Sequence, residues 1–368
     1  MKPETPWKNW WKNLPRRSPL LTFLRERTLP PDQGSDESSL LFAEARSCGL
    51  LVRLAHEFNT LSAGNLAVEI KSQCEAAAIY SEGFRRDVWR ELSHIEKALS
   101  DLKTRVIVLK GASYVLLGLP AAEGRTFSDI DILVANDHVA SAEASLMLGG
   151  WSTGKLDAYD QRYYRQWSHE IPPMTHLRRG TTIDLHHSLA MPTCRIKVDS
   201  AKMVAEAIPV DGHEFWWRLK DEDIVLHAAS HLLLNSEFDH GLRDLWDIDS
   251  LFRHFLSNKP EFPDRLLSRA REVGLEAILR QTMALASRFF ATPVPNALLP
   301  TRKTDPVSWL LTQSASTRHP ETRPVLQQLA DILLLGRELY LRLPTRLLAV
   351  HLWHKATTLL TPTERSSV

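Results

Sequence analysis

Cysteine is scarce in this chain: Cys48, Cys74 and Cys194 stand alone among 368 residues. Being odd in number and far apart, they offer neither a disulfide framework nor a zinc-binding spacing, and they fit a reducing compartment. Long apolar runs are missing as well. No stretch reaches the roughly 18 uninterrupted apolar residues of a membrane span, and no apolar segment follows the basic start, so no signal peptide is expected. Charge of one sign is not in excess. The 45 Lys and Arg oppose 44 Asp and Glu, leaving a net charge of +1, and nothing in that total asks for nucleic acid as a partner. Internal repeats and low-complexity tracts are absent. What is there is an ordinary globular balance, 43% hydrophobic and 24% charged, in a chain long enough for about two or three domains.

The most informative stretch is residues 105–134. It reads as strand, glycine turn, helix, loop and strand. Residues 105–109 are rich in β-branched side chains and suit a buried strand. Gly111 follows, where a glycine lets the backbone turn tightly, and a helix is expected from Ala112 to about Leu117. A helix start is a seat for phosphate, to which Ser113 would add a hydroxyl and Lys110 a cation. Arg125, in the following loop, offers a guanidinium fork for a triphosphate, or else pairs with Glu123. The second strand carries Asp129 and Asp131. Side chains two apart on a strand share a face, so two carboxylates project together while Ile130, Ile132 and Val134 point the other way. Such a pair is unfavourable unless cations compensate it, and hard oxygen ligands suit Mg²⁺ completed by a substrate phosphate. Residues 181–187, TTIDLHH, form a further strand on which Asp184 and His186 share a face. Asp184 is the expected third carboxylate of the cluster.

Around this stretch the chain divides by composition. Residues 1–37 read as a flexible basic and Trp-rich tail. Its Trp7, Trp10 and Trp11 either touch a membrane surface or pack on the folded body, the second being preferred. Residues 38–104 are helical, with Val88, Leu92, Ile95, Leu99 and Leu102 forming one stripe. The core is expected over 105–210 and a helical domain over 211–292. There His227 and His231, four apart, lack the glutamate of a zinc-binding HExxH and read as packing histidines, while Arg243 and Asp247 are spaced to pair along one helix. Residues 293–324, rich in Pro, Thr and Ser, read as a linker. Residues 325–368 read as C-terminal helices, with a weak membrane-surface contact as the alternative to simple packing.

Taken in order, LKGASY, RTFSDIDILV and IDLHHSL resemble the uncharacterised, mostly bacterial nucleotidyltransferase family of the polymerase-beta-type nucleotidyltransferase superfamily, over roughly residues 40–255. The resemblance implies an α+β fold: a small mixed sheet flanked by helices, with N-terminal helices and a C-terminal helical domain. It implies that Asp129 and Asp131 bind metal, that Asp184 activates an acceptor hydroxyl and that Gly111 lines the triphosphate. The chain departs from the wider superfamily at Ala112, where serine or glycine is usual. Ser113 stands one residue late, and the gap from Gly111 to Asp129 is long.

The expectation is therefore a Mg²⁺-dependent enzyme, with Mn²⁺ as a substitute ion, moving a nucleoside monophosphate from an NTP to an acceptor that is a small molecule, a glycan or a protein. Asp129, Asp131 and Asp184 are both catalytic and metal-binding in this reading, and Lys110, Gly111, Ser113 and Arg125 bind the nucleotide. Its expected place is the cytoplasm, with or without a peripheral membrane contact. Two rivals stand beside it: a non-catalytic nucleotide-sensing or partner-binding module, and a membrane-associated accessory protein acting on a glycan or lipid-linked precursor.

Overall fold

The computed structural model describes residues 18–32, 34–62, 66–234, 240–301 and 305–360. Trp7, Trp10 and Trp11 lie outside them. Helices open the chain. Helix α1 (Pro19–Glu26) begins where the Ser18 hydroxyl accepts from the Leu21 N–H and Pro19 takes the first helical position. It is followed by α2 (Asp36–Ser47), α3 (Leu51–Ser62) and the long α4 (Val68–Leu99). Strands and helices then mix: β1 (Val106–Val108), α5 (Lys110–Leu116), β2 (Asp129–Leu133), α6 (Val139–Leu148), β3 (Trp151–Thr153), α7 (Ala158–Arg162), β4 (Met174–His176), β5 (Thr182–His186), α8 (Ser200–Ala205), β6 (Ile208–Val210) and β7 (His213–Arg218). The rest is helical: α9 (Asp221–Leu234), α10 (Gly241–Asn258), α11 (Phe262–Glu272), α12 (Glu276–Phe290), α13 (Pro306–Ser314), α14 (Gln327–Arg342) and α15 (Thr345–Leu360).

Among the described residues seven strands make one mixed sheet, in the order β3-β4-β5-β2-β1-β7-β6. The centre decides the site. β2 pairs antiparallel with β1 and parallel with β5, and β1 runs parallel to β7. All of β1 is buried, as is β2 beyond its first residue. Such strands hold their place because a one-residue slip would turn Ile130 and Ile132 to the acidic face. Helix α5 packs on β2 and against α4 and α9. The fold is the expected α+β arrangement.

Two local readings are corrected. Residues 19–26 are not tail: Leu20, Leu21, Phe23 and Leu24 are buried, and α1 packs on α2 and α12. A basic, proline-bearing composition hid an eight-residue amphipathic stripe. Residues 293–324 are not simply a linker. They include α13, started by Asp305, and Thr312, Ser314, Ser316, Thr317 and Thr322 are buried. The polar composition there serves internal hydrogen bonds. The Thr322 hydroxyl donates to Glu44 Oε1, and Gln327 Nε2 lies within hydrogen-bond reach of the carbonyls of residues 313, 314, 316 and 317. One apolar core runs continuously from Leu20 to Leu334. No helix among the described residues is long and apolar enough to cross a membrane.

Candidate active site

β1 delivers the chain to Lys110, whose φ of 45° is left-handed. That is an uncommon backbone for a lysine and a place where strain gathers at functional sites. Helix α5 starts there, two residues earlier than the glycine suggests, and runs for only seven residues. Lys110 Nζ lies 2.7 Å from Asp131 Oδ1. From the neighbouring strand His186 Nε2 donates to the same oxygen at 2.9 Å. Burial opposes ionisation of Asp131, but the Lys110 charge and the His186 hydrogen bond outweigh it and hold the carboxyl well below its usual range.

The parallel register of β2 and β5 sets Asp131 directly beside Asp184, and Asp129 beside Thr182. Asp129, Asp131 and Asp184 each bring a carboxylate oxygen within 4.8 Å of the others. Asp184 is the unsatisfied member, because its Oδ1 is buried with no partner. Burial first, then the charges of Asp131, Glu170 and Asp129, push its carboxyl up to about 9. Three converging carboxylates, one of them unable to ionise beside the others, form the donor set a hard divalent cation stabilises. These residues fit Mg²⁺ or Mn²⁺.

The opposite wall of the cleft comes from distant segments. Arg125 Nε donates to Asp247 Oδ2 at 2.5 Å, and Arg53 Nη1 donates to Asp247 Oδ1 at 2.5 Å. The alternative reading, a pair of Arg125 with Glu123, does not form, and Glu123 pairs with Arg85. The expected Arg243–Asp247 pair is replaced too, since Arg243 Nε donates to Asp244 Oδ1 at 2.9 Å. Arg125 Nη1 is buried with no partner, and Arg125 lines the cleft with Lys110, Gly111, Asp129, Asp131 and Asp244. Gly111 has its own reason for lacking a side chain. A Cβ there would overlap Arg125 Nη1 and the Phe127 ring, so the glycine admits the guanidinium rather than a tight turn.

The fold therefore gathers six of the seven residues singled out in the sequence: Lys110, Gly111, Arg125, Asp129, Asp131 and Asp184. Ser113 is set apart. It is 2% exposed and faces a small separate cavity with His227, because the early start of α5 turns it inward. His227 is buried, as expected of a packing residue, whereas His231 is half-buried and lines the cleft with Lys110 and Asp131. Burial, followed by the Lys110 charge, pushes the His227 imidazole down to about 3.

Sequence reasoning missed Arg53, Asp244, Glu170 and the contact of His186 with Asp131. For His186 a signal existed, because it lies two residues beyond Asp184 and therefore on the acidic face. For Arg53 there was none. With this geometry in hand, a family model described as uncharacterised nucleotidyltransferase matches residues 35–291. No curated protein matches the chain.

Proposed function

The chain belongs to the uncharacterised nucleotidyltransferase family and is a nucleotidyltransferase; from that premise we propose that it moves a nucleoside monophosphate from an NTP to an acceptor hydroxyl with release of pyrophosphate. The observation that carries the reading is the meeting of Asp129, Asp131 and Asp184 beside a cleft that also holds Lys110 and Arg125. Phosphoryl transfer asks a protein for placement and charge neutralisation more than for covalent chemistry. Asp129, Asp131 and Asp184 would hold Mg²⁺, or Mn²⁺ in its place, and the ion when bound supplies positive charge against the transferring phosphoryl group.

The chain's own residues do the rest. Lys110 and His186 fix Asp131 through a single oxygen, Oδ1, so that carboxylate is oriented before substrate arrives. Arg125, anchored through Nε on Asp247, keeps Nη1 for a phosphate oxygen. Asp184, which would be ionised once the trio holds its cation, takes the proton of the acceptor hydroxyl as the hydroxyl oxygen attacks the α-phosphorus, and the bond to pyrophosphate breaks in line. Residues 105–210 act as the catalytic core. Residues 211–292 close the cleft, a role supported by Asp244 and Asp247 on α10. The acceptor is a small molecule, a glycan or a protein. Three buried cysteines without a disulfide support a cytoplasmic setting. Exposed Leu352 and Trp353 beside Lys355 support a weak membrane-surface contact through α15.

The test is transfer of label from α-labelled NTPs in the presence of Mg²⁺ and cell extract, with wild type set against Asp129→Ala and Asp131→Ala. Both variants are expected to stay folded and to lose transfer. Transfer retained in either overturns the assignment, and binding of NTP with no pyrophosphate released under any acceptor would make the protein a sensing module.

A further inference from the structure

Behind Asp131 lies a second group of metal-ligating side chains with different chemistry. His169 and Glu170 sit on the strand-like segment that bridges to the end of β5, where Glu170 pairs with His186. His169, Glu170 and His186 each bring one nitrogen or carboxylate oxygen within 4.8 Å of the others. His186 Nε2 is 3.4 Å from Glu170 Oε2, and His169 Nε2 is 3.7 Å from the same oxygen.

Those two spacings are long for good hydrogen bonds. The shorter matches the edge of a tetrahedron around one ion and the longer exceeds it by about 0.1 Å, since bonds of about 2.0–2.2 Å at the tetrahedral angle set ligands roughly 3.3–3.6 Å apart. Burial agrees. His186 is fully buried and His169 is 5% exposed. Two buried imidazoles whose Nε2 atoms face one carboxylate at 3.4 and 3.7 Å, too far for good hydrogen bonds, are an unfavourable arrangement unless a cation completes it.

We propose that His169, Glu170 and His186 form a second cation site, specific for a divalent transition metal of the zinc, cobalt or manganese class. Two imidazoles and one carboxylate favour such an ion over Mg²⁺, which the all-oxygen trio prefers. The two sites meet at His186, whose Nε2 contacts Asp131 Oδ1. Filling the histidine site draws that nitrogen to the metal and leaves Lys110 as the partner of Asp131.

The experiment is Co²⁺ titration of the full-length, metal-stripped protein, followed by visible absorption and equilibrium dialysis in excess Mg²⁺. Excess Mg²⁺ occupies the acidic trio and leaves the histidine site to cobalt. The expected result is one Co²⁺ per chain with a tetrahedral ligand-field band, kept in Asp129→Asn and lost in His169→Gln and in Glu170→Gln. Circular dichroism establishes that each variant is folded, and Glu170→Gln, being isosteric, preserves the shape of the site more closely than His169→Gln does. Absence of the band in wild type, or its persistence in folded Glu170→Gln, overturns the proposal. Because binding alone is read, nucleotidyl transfer can fail in its own assay without touching this result.

Discussion

Asp131 and Asp184 stand in register on two neighbouring parallel strands, β2 and β5. Their side chains therefore leave the same face of the sheet at adjacent strands, about 4.8 Å apart along the hydrogen-bonding direction. Two carboxylates so placed share an electrostatic problem. Lys110 and His186 relieve it at Asp131, and at Asp184 the buried Oδ1 is left without a partner.

That imbalance predicts an unusual pH dependence. Asp184 is raised to about 9 in the folded protein, by burial first and then by its acidic neighbours, against about 3.9 when unfolded. An acid raised on folding stabilises the metal-free protein fully below the unfolded value, and this contribution is lost as pH climbs to about 9. Metal-free stability should fall between about pH 4 and 9, and Asp184→Asn should flatten the slope. Urea midpoints measured across that range in chelator decide it, and Mg²⁺ uptake near neutral pH should release close to one proton by calorimetry.

Removing the cation that faces Asp131 should destabilise the fold. Lys110→Met leaves a buried carboxylate beside Asp129 and Asp184, a loss of about 3–5 kcal/mol for one partner of a buried pair. Saturating Mg²⁺ should restore part of it, because an ion replaces the missing charge. Chemical denaturation with and without Mg²⁺ measures both effects.

Asp247 carries two guanidinium groups, Arg53 and Arg125. Asp247→Ala strands both in the interior, and a loss of about 3–5 kcal/mol is expected. Arg53→Met should be milder, since Arg125 still neutralises Asp247. If Arg125 depends on that anchor, KM for NTP should rise in Asp247→Asn even where the protein stays folded.

Gly111→Ala tests why position 111 lacks a side chain. The new methyl group meets Arg125 and Phe127, and overpacking of this kind destabilises by about 1–3 kcal/mol. Displacement of the guanidinium should weaken NTP binding in the same variant. A parallel Gly118→Ala change, where no neighbour crowds the added carbon but φ is 59°, should lower thermal stability and leave NTP affinity intact.

Some of this was legible in the chain itself. The two-residue period of DIDILV put Asp129 and Asp131 on one face, and TTIDLHH put Asp184 and His186 on another strand in the same way. Arg125 and Lys110 were found because they sit in the turns that flank those strands. Ser113 was misjudged by the same local logic. It counted positions from Gly111, whereas the helix begins at Lys110 and turns the hydroxyl inward.

The sequence by itself determined which side chains share a face, because the pleat of a strand repeats every two residues wherever the strand lies. It also determined that the acids would need cations, since like charges cannot be packed together unpaid. Only the tertiary structure decided who answers them. Arg53 reaches Asp247 across 194 positions, His186 turns to Asp131 across 55, and Arg125 finds Asp247 rather than its neighbour Glu123 across 122. Ion-pair partners depend on where distant segments pack, and packing is fixed by the whole apolar core rather than by the few residues on either side of a charge.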